Sequence, residues 1–281
     1  MNLDDMKTFG VEVEFLSNFS RTEVSRQITA ATGIPIYLAS YSDKDSSKWR
    51  LKTDSSIRSS MNGMELVTPV LKGEDDMAKL RDVMAVLGSI GEVNVSCGLH
   101  VHIGVNKLDK DQYKKLLKLW LKYEIACDYL QPMSRRNNTY CQPNNTGQGD
   151  SRYGGYGERL LGNFKMLNKC KSSRQLVNND LFGHKYRKLN TGHYWGQGTV
   201  EFRSHSGTVN SSKVDHWVRL TQAFVAAAEN SRGTVINIEA NESTYRTKVM
   251  LNDFYKKGFI QKETYVFYKK RYKELNNAIC R

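Results

Sequence analysis

The 281 residues predict an α+β fold, one mixed domain with a helical C-terminal appendage. Three observations support it. Short segments with period-two alternation recur in the first hundred residues and again near residue 200. Amphipathic stretches at helical spacing, with recognisable caps, lie between and after them. No internal repeat and no sharp compositional boundary divides the chain. The boundaries drawn from this are a main domain over 1–235 and a basic helical extension over 236–281.

In order, Phe9, Val11, Val13 and Phe15 alternate with Gly10, Glu12 and Glu14, the pattern of a half-buried strand. Ser20 and Glu23 stand at capping-box spacing before a helix over Ser20–Thr32, and Gly33 is placed to end it. Ile36–Tyr41, Trp49–Thr53 and Gly63–Pro69 read as short strands, Lys72–Ile90 as a helix and Leu99–Val105 as another alternating strand. Asp109 and Gln112 repeat the capping-box spacing ahead of a strongly amphipathic helix to Leu130. The stretch 131–157 is polar and rich in Gly, Asn and Pro, which predicts a mobile, substrate-facing loop, since ordinary connections run about 4–6 residues. Lys185–Asn190 and Thr199–His205 read as strands joined by a glycine-containing turn. A helix over Ser212–Ala228 takes Ser212 and Asp215 as its cap, and two Tyr- and Lys-rich helices follow from Glu242, broken near Gly258.

Hydrophobic residues at 39% and charged residues at 25% are ordinary for a globular chain. No run of 18 apolar residues and no signal-like start is present, so the expectation is a cytoplasmic protein without a membrane span. The net charge of +13 favours polyanions such as nucleotides, nucleic acid or acidic peptides without choosing among them. Cys97, Cys127, Cys141, Cys170 and Cys280 form no CxxC pair and are odd in number, which argues against a disulfide framework or structural zinc and for reduced thiols.

Three strands carry cation-binding groups on one face, and each is expected to be wet on that face. Alternation pairs Glu12 with Glu14, sets His100 and His102 opposite an apolar row, and puts Glu201, Arg203 and His205 together. Carboxylates at i and i+2 stand about 7 Å apart, which suits metal ions with phosphate better than a shared proton. Carboxylates with an imidazole suit Mg²⁺ or Mn²⁺, which would offset the repulsion among Glu12, Glu14, Glu65 and Glu201. Taken singly, an ExE pair is a solvated face, HxH a surface or hydrogen-bonded pair, and ExR a cross-strand ion pair. It is their joint appearance that points to a site.

The blocks GVEVEF (10–15), WRLKTDSSI (49–57), GMELVTPVL (63–71), CGLHVHIGV (97–105), KYRKLN (185–190) and TVEFRSHSGT (199–208) occur in that order. Together, over about residues 8–228, they resemble the amidoligase family of carboxylate–amine ligases, related to glutamine synthetase and glutamate–cysteine ligase. The resemblance implies a mostly antiparallel curved sheet of that catalytic type, with helices on its outer face and ATP and divalent ions on its concave face. It implies amide or peptide bond formation between a carboxylate and an amine through an acyl phosphate. It makes Glu12, Glu14, Glu65, His100 and Glu201 ligands of Mg²⁺ or Mn²⁺, His102 a neighbour of the transferred phosphate and Arg203 a phosphate contact. Arg187, or Lys185, would be a second phosphate contact. Asp54 either takes the proton of the attacking amine or caps the TDSS turn. Arg50 and Lys52 either hold a substrate carboxylate or are solvated.

Two other readings use the same features. A metal-dependent phosphodiesterase or nuclease would employ the acidic and histidine residues with the positive charge. A non-catalytic nucleic-acid-binding protein would employ the Lys/Tyr-rich tail, where ten Lys/Arg face three Asp/Glu between Arg246 and Arg281. Packing of Tyr245, Val249, Tyr265 and Tyr268 at helical spacing accounts for that tail as well.

Overall fold

A computed structural model describes residues 6–40, 42–146, 155–230 and 247–276. Tyr41, the stretch 147–154, Tyr245 with the start of the C-terminal extension, and Cys280 lie outside the described residues. The chain divides into two compact units, one of Asn2–Ile103 with His205–Val218, the other of Gly104–Ser204 with Arg219–Arg281.

In the first unit the strands are β1 (Phe9–Ser17), β2 (Ile36–Leu38), β3 (Trp49–Thr53), β4 (Asn62–Val67) and β5 (Gly98–Gly104), in the order β2-β3-β4-β1-β5. All neighbours are antiparallel except β2 and β3. The apolar row of β1 is fully buried, as are Val24 and Ile28 of helix α1 (Arg21–Thr32) and the Met77–Leu87 stripe of α2 (Gly73–Ile90). This is the unit's core, and each buried side chain of this size stabilises by about 1.5–3 kcal/mol. Ser20 accepts from the Glu23 N–H, and Gly33 at φ 71° closes α1 by donating to the Thr29 carbonyl. Strand β5 departs from the expected wet face. All seven of its residues are buried, His100 and His102 included.

Helix α3 (Lys110–Asp128) opens the second unit with a complete Asp109–Gln112 capping box. There follow α4 (Met133–Arg136), α5 (Tyr156–Lys169), α6 (Ser173–Val177), β6 (Leu189–Asn190), α7 (Tyr194–Gln197) and β7 (Thr199–Ser206). The expected strand over Lys185–Asn190 shrinks to two residues. The Arg187 N–H closes a turn on the His184 carbonyl, and the Lys188 side chain runs inward to Asp128 at 2.6 Å. Helix α8 (Ser211–Asn230) starts one residue earlier than expected. Its cap is the Asn210 carboxamide, which accepts the Lys213 N–H at 3.0 Å, while Asp215 binds Arg81 at 2.8 Å instead of capping. Helices α9 (Thr247–Lys256) and α10 (Lys262–Asn276) complete the chain. Trp120, Phe202, Phe224 and Phe254 pack in edge-on and tilted pairs at 5.1–5.4 Å centroid spacing and form the aromatic centre of this unit.

Within residues 131–146, exposed positions such as Met133 and Tyr140 alternate with residues bonded into the unit's interior. Asn144 and Asn145 are buried, and their backbone N–H groups bind the two oxygens of buried Glu124 at 2.8 and 2.9 Å. The Asn144 carboxamide also accepts from Trp120 and Leu189 and donates to two carbonyls. Burial, with Asp128 nearby, pushes the Glu124 carboxyl up to about 7 against the pull of Lys188 and those two N–H groups. Cys97, Cys127, Cys141 and Cys170 are all free thiols.

Candidate active site

In the first unit, alternation sends Glu12 and Glu14 away from the apolar core, and strand pairing decides what they meet. Glu12 stands opposite Val67 on one side and His100 on the other, while Glu14 stands opposite Glu65. On the next pair Lys52 faces Glu65 and Arg50 faces Val67. The sheet therefore carries cations on β3, carboxylates on β4 and β1, and imidazoles on β5.

His100 bridges two acids, with Nδ1 3.2 Å from a Glu12 oxygen and Nε2 3.7 Å from a Glu14 oxygen. His102 Nε2 lies 3.3 Å from the other Glu12 oxygen. Glu14 is oriented further by the Gly98 N–H, which donates to it at 2.6 Å. Burial opposes charge on Glu12, but the positive charge of His102 and hydrogen bonds from both imidazoles hold its carboxyl well below the usual range. Glu65 goes the other way. Burial and then the neighbouring Glu12 and Glu14 charges push it up to about 8, against the weaker pull of Lys52.

Glu14, Glu65 and His100 offer ligand atoms within 4.8 Å of one another. Two carboxylates and one imidazole are a donor set for Mg²⁺ or Mn²⁺, and a divalent cation there would offset the crowding that keeps a proton on Glu65. The residues fit the ion.

The other predicted residues of this unit have local partners of their own. Arg50 is buried, and its guanidinium donates to the Asp43 carbonyl at 2.6 Å. Asp54 accepts the Ser56 N–H at 2.8 Å, so it does cap its turn, and its charge also reaches Glu65.

The second unit holds the remaining predicted residues. Glu201, 1% exposed, is paired with the Arg203 guanidinium, accepts from the Asn190 carboxamide at 2.8 Å, and has His193 Nε2 at 3.3 Å. Asn190 and His193 were not among the predicted residues. The first was legible only as the last residue of an expected strand, its pairing with Glu201 being a matter of register, and the second lies in a glycine-containing turn with no periodicity to mark it. Arg187 turns to the Pro143 carbonyl at 2.7 Å, and Lys185 is exposed with its ammonium 4.9 Å from the Tyr186 ring centre. The structure thus gathers Glu12, Glu14, Glu65, His100 and His102 around one another, pairs Glu201 with Arg203, and gives Arg187 and Lys185 separate surroundings.

Among the described residues no helix is long and apolar enough to cross a membrane. A search of curated proteins found no match. Among solved structures, a bifunctional glutathione synthetase from Pasteurella multocida aligns at 14% identity with a TM-score of 0.42, over 97% of this chain and 47% of that one. The chain thus spans about half the length of that protein. A family model described as "Putative amidoligase enzyme" matches residues 5–225, which include every residue of the carboxylate–histidine cluster and the Glu201–Arg203 pair. The chain belongs to the amidoligase family.

Proposed function

We propose that the protein is an ATP- and Mg²⁺-dependent ligase that joins a carboxylate to an amine through an acyl phosphate. The observation that carries this reading is the Glu14–Glu65–His100 cluster, two half-buried carboxylates and a buried imidazole on neighbouring strands, within a chain of amidoligase membership. Transfer of a γ-phosphoryl group needs alignment and charge neutralisation more than a covalent protein group. A divalent cation held by Glu14, Glu65 and His100, with Glu12 as a further ligand, would supply neutralisation at the phosphate oxygens.

The protein's own residues then have distinct tasks. Glu12 fixes both imidazoles, and His102 presents a donor toward the transferred phosphoryl group. Lys52 and Arg50 offer positive charge to the carboxylate substrate. Its oxygen attacks the γ-phosphorus of ATP, ADP leaves, and a neutral amine then displaces phosphate to give the amide. In the second unit Glu201 is a candidate carboxylate ligand and Arg203 a candidate phosphate contact in their own right, with Asn190 holding Glu201 in place. Asp54 takes the amine proton if it leaves its turn.

The test is ADP and phosphate release by the full chain with ATP, Mg²⁺ and mixed pools of carboxylates and amines. Release should require both pools. Glu12→Ala and Glu201→Ala should each lower it more than about 100-fold with an unchanged circular dichroism spectrum. Full turnover in both variants, or DNA cleavage without ATP, would overturn the reading.

A further inference from the structure

We propose that an open cavity in the second unit binds a dipolar ligand, a free amino acid or unblocked short peptide carrying both an ammonium and a carboxylate. That this ligand is a ligase substrate rests on the function proposed above; that it binds does not. The cavity has a volume of about 660 Å³, and Gln142, Asn178, Asp180, Arg187, Gly192 and Trp195 are among its lining residues. Cavities of about 300–1,000 Å³ are the usual size for small-molecule sites.

The argument starts from two opposite charges that do not neutralise each other. The Arg187 guanidinium is fixed by backbone carbonyls, Nη1 to Pro143 at 2.7 Å and Nη2 to Asp180 at 3.4 Å. Carbonyls orient a guanidinium without cancelling its charge, and its Nε is buried with no hydrogen-bond partner among the described residues. Asp180 lines the same cavity and is exposed, yet no ion pair of 4.0 Å or less joins its carboxylate to Arg187 or to any other cation among the described residues. A ligand of one sign would be attracted by one of these groups and repelled by the other. A ligand with both signs satisfies each.

The remaining walls suit the same chemistry. The carboxamides of Gln142 and Asn178 each supply a donor and an acceptor, the complement of a peptide group. Trp195, 61% exposed, offers its indole to a side chain or to the ammonium. The cavity also adjoins the Glu201 carboxylate by one link. The Gly192 N–H is held by the Asn190 carboxamide oxygen at 2.8 Å, and the same carboxamide donates to Glu201. This reading moves Arg187 from the phosphate to the substrate carboxylate.

The experiment is ligand-observed NMR titration of the full chain, without ATP or metal, using alanyl-alanine, N-acetyl-alanyl-alanine and alanyl-alanine amide. Alanyl-alanine should bind at least about tenfold tighter than either blocked form. Arg187→Met should abolish the preference over the amide while keeping that over the acetylated form, and Asp180→Asn should do the reverse. Should Arg187→Met not fold, the exposed Asp180→Asn decides alone. Equal binding of the three peptides, no binding up to ~10 mM, or preferences unmoved by Asp180→Asn would overturn the proposal. Because no nucleotide is present, failure here leaves the ATP test untouched, and failure of that test leaves this binding untouched.

Discussion

Half-buried Glu65 and buried Glu124 both have raised pKa values, with different neighbours and different consequences. Glu65 is raised to about 8 by burial and by Glu12 and Glu14, so near neutrality it keeps its proton. A bound cation would release that proton. Mn²⁺ at about 1 mM should therefore raise the thermal midpoint, more at pH 8 than at pH 6, and Glu65→Gln should remove most of the rise. Glu124, at about 7, has no role in that cluster and holds residues 144 and 145. Its folded pKa exceeds its unfolded one, so its contribution is complete below about pH 4.5 and is lost as pH climbs through 7. The loss is roughly 3 kcal/mol. Glu124→Gln should flatten the fall of the thermal midpoint between pH 5 and pH 8, and scanning calorimetry would show it. Neither environment could be read from sequence. Glu124 is one acid on an amphipathic helix; Asp128 is four positions on, but the burial that raises it most comes from tertiary packing that no local pattern records.

Elements stopped or started by their own neighbours were legible. Ser20, Gly33 and Asp109 act within one turn, and the structure keeps all three. The α8 cap was misread because Ser212 and Asp215 imitate a capping box, whereas Asp215 is taken by Arg81 across 134 positions. Helix α5 went unread although Leu160, Phe164 and Leu167 mark its buried stripe at helical spacing. Gly207, just past β7, shows an element-level constraint. A Cβ there would lie 2.4 Å from the Cys97 Cβ, and the Gly207 N–H donates to the Cys97 carbonyl at 2.9 Å. Gly207→Ala should cost about 3 kcal/mol, read as a lower urea midpoint with an unchanged slope.

At the scale of the molecule, alternation located the faces of the site, but register and burial were beyond it. Glu12 and Glu14 share a face by period alone, whereas Glu14 opposite Glu65 depends on how β1 and β4 align. The polar face of β5 was expected to be wet because histidines alternate with apolar residues; burial on both sides follows from packing no local pattern records. Neither unit is one continuous stretch. The first borrows His205–Val218 from beyond residue 200, and there Gly207 bonds Cys97 while Asp215 pairs with Arg81. On the ribosome, the first hundred residues must therefore wait for a segment made more than a hundred codons later, roughly 10 s at ordinary translation speeds. During that interval the nascent chain has its amino-terminal strands in hand while the segment that bonds Cys97 and pairs with Arg81 is still unsynthesised.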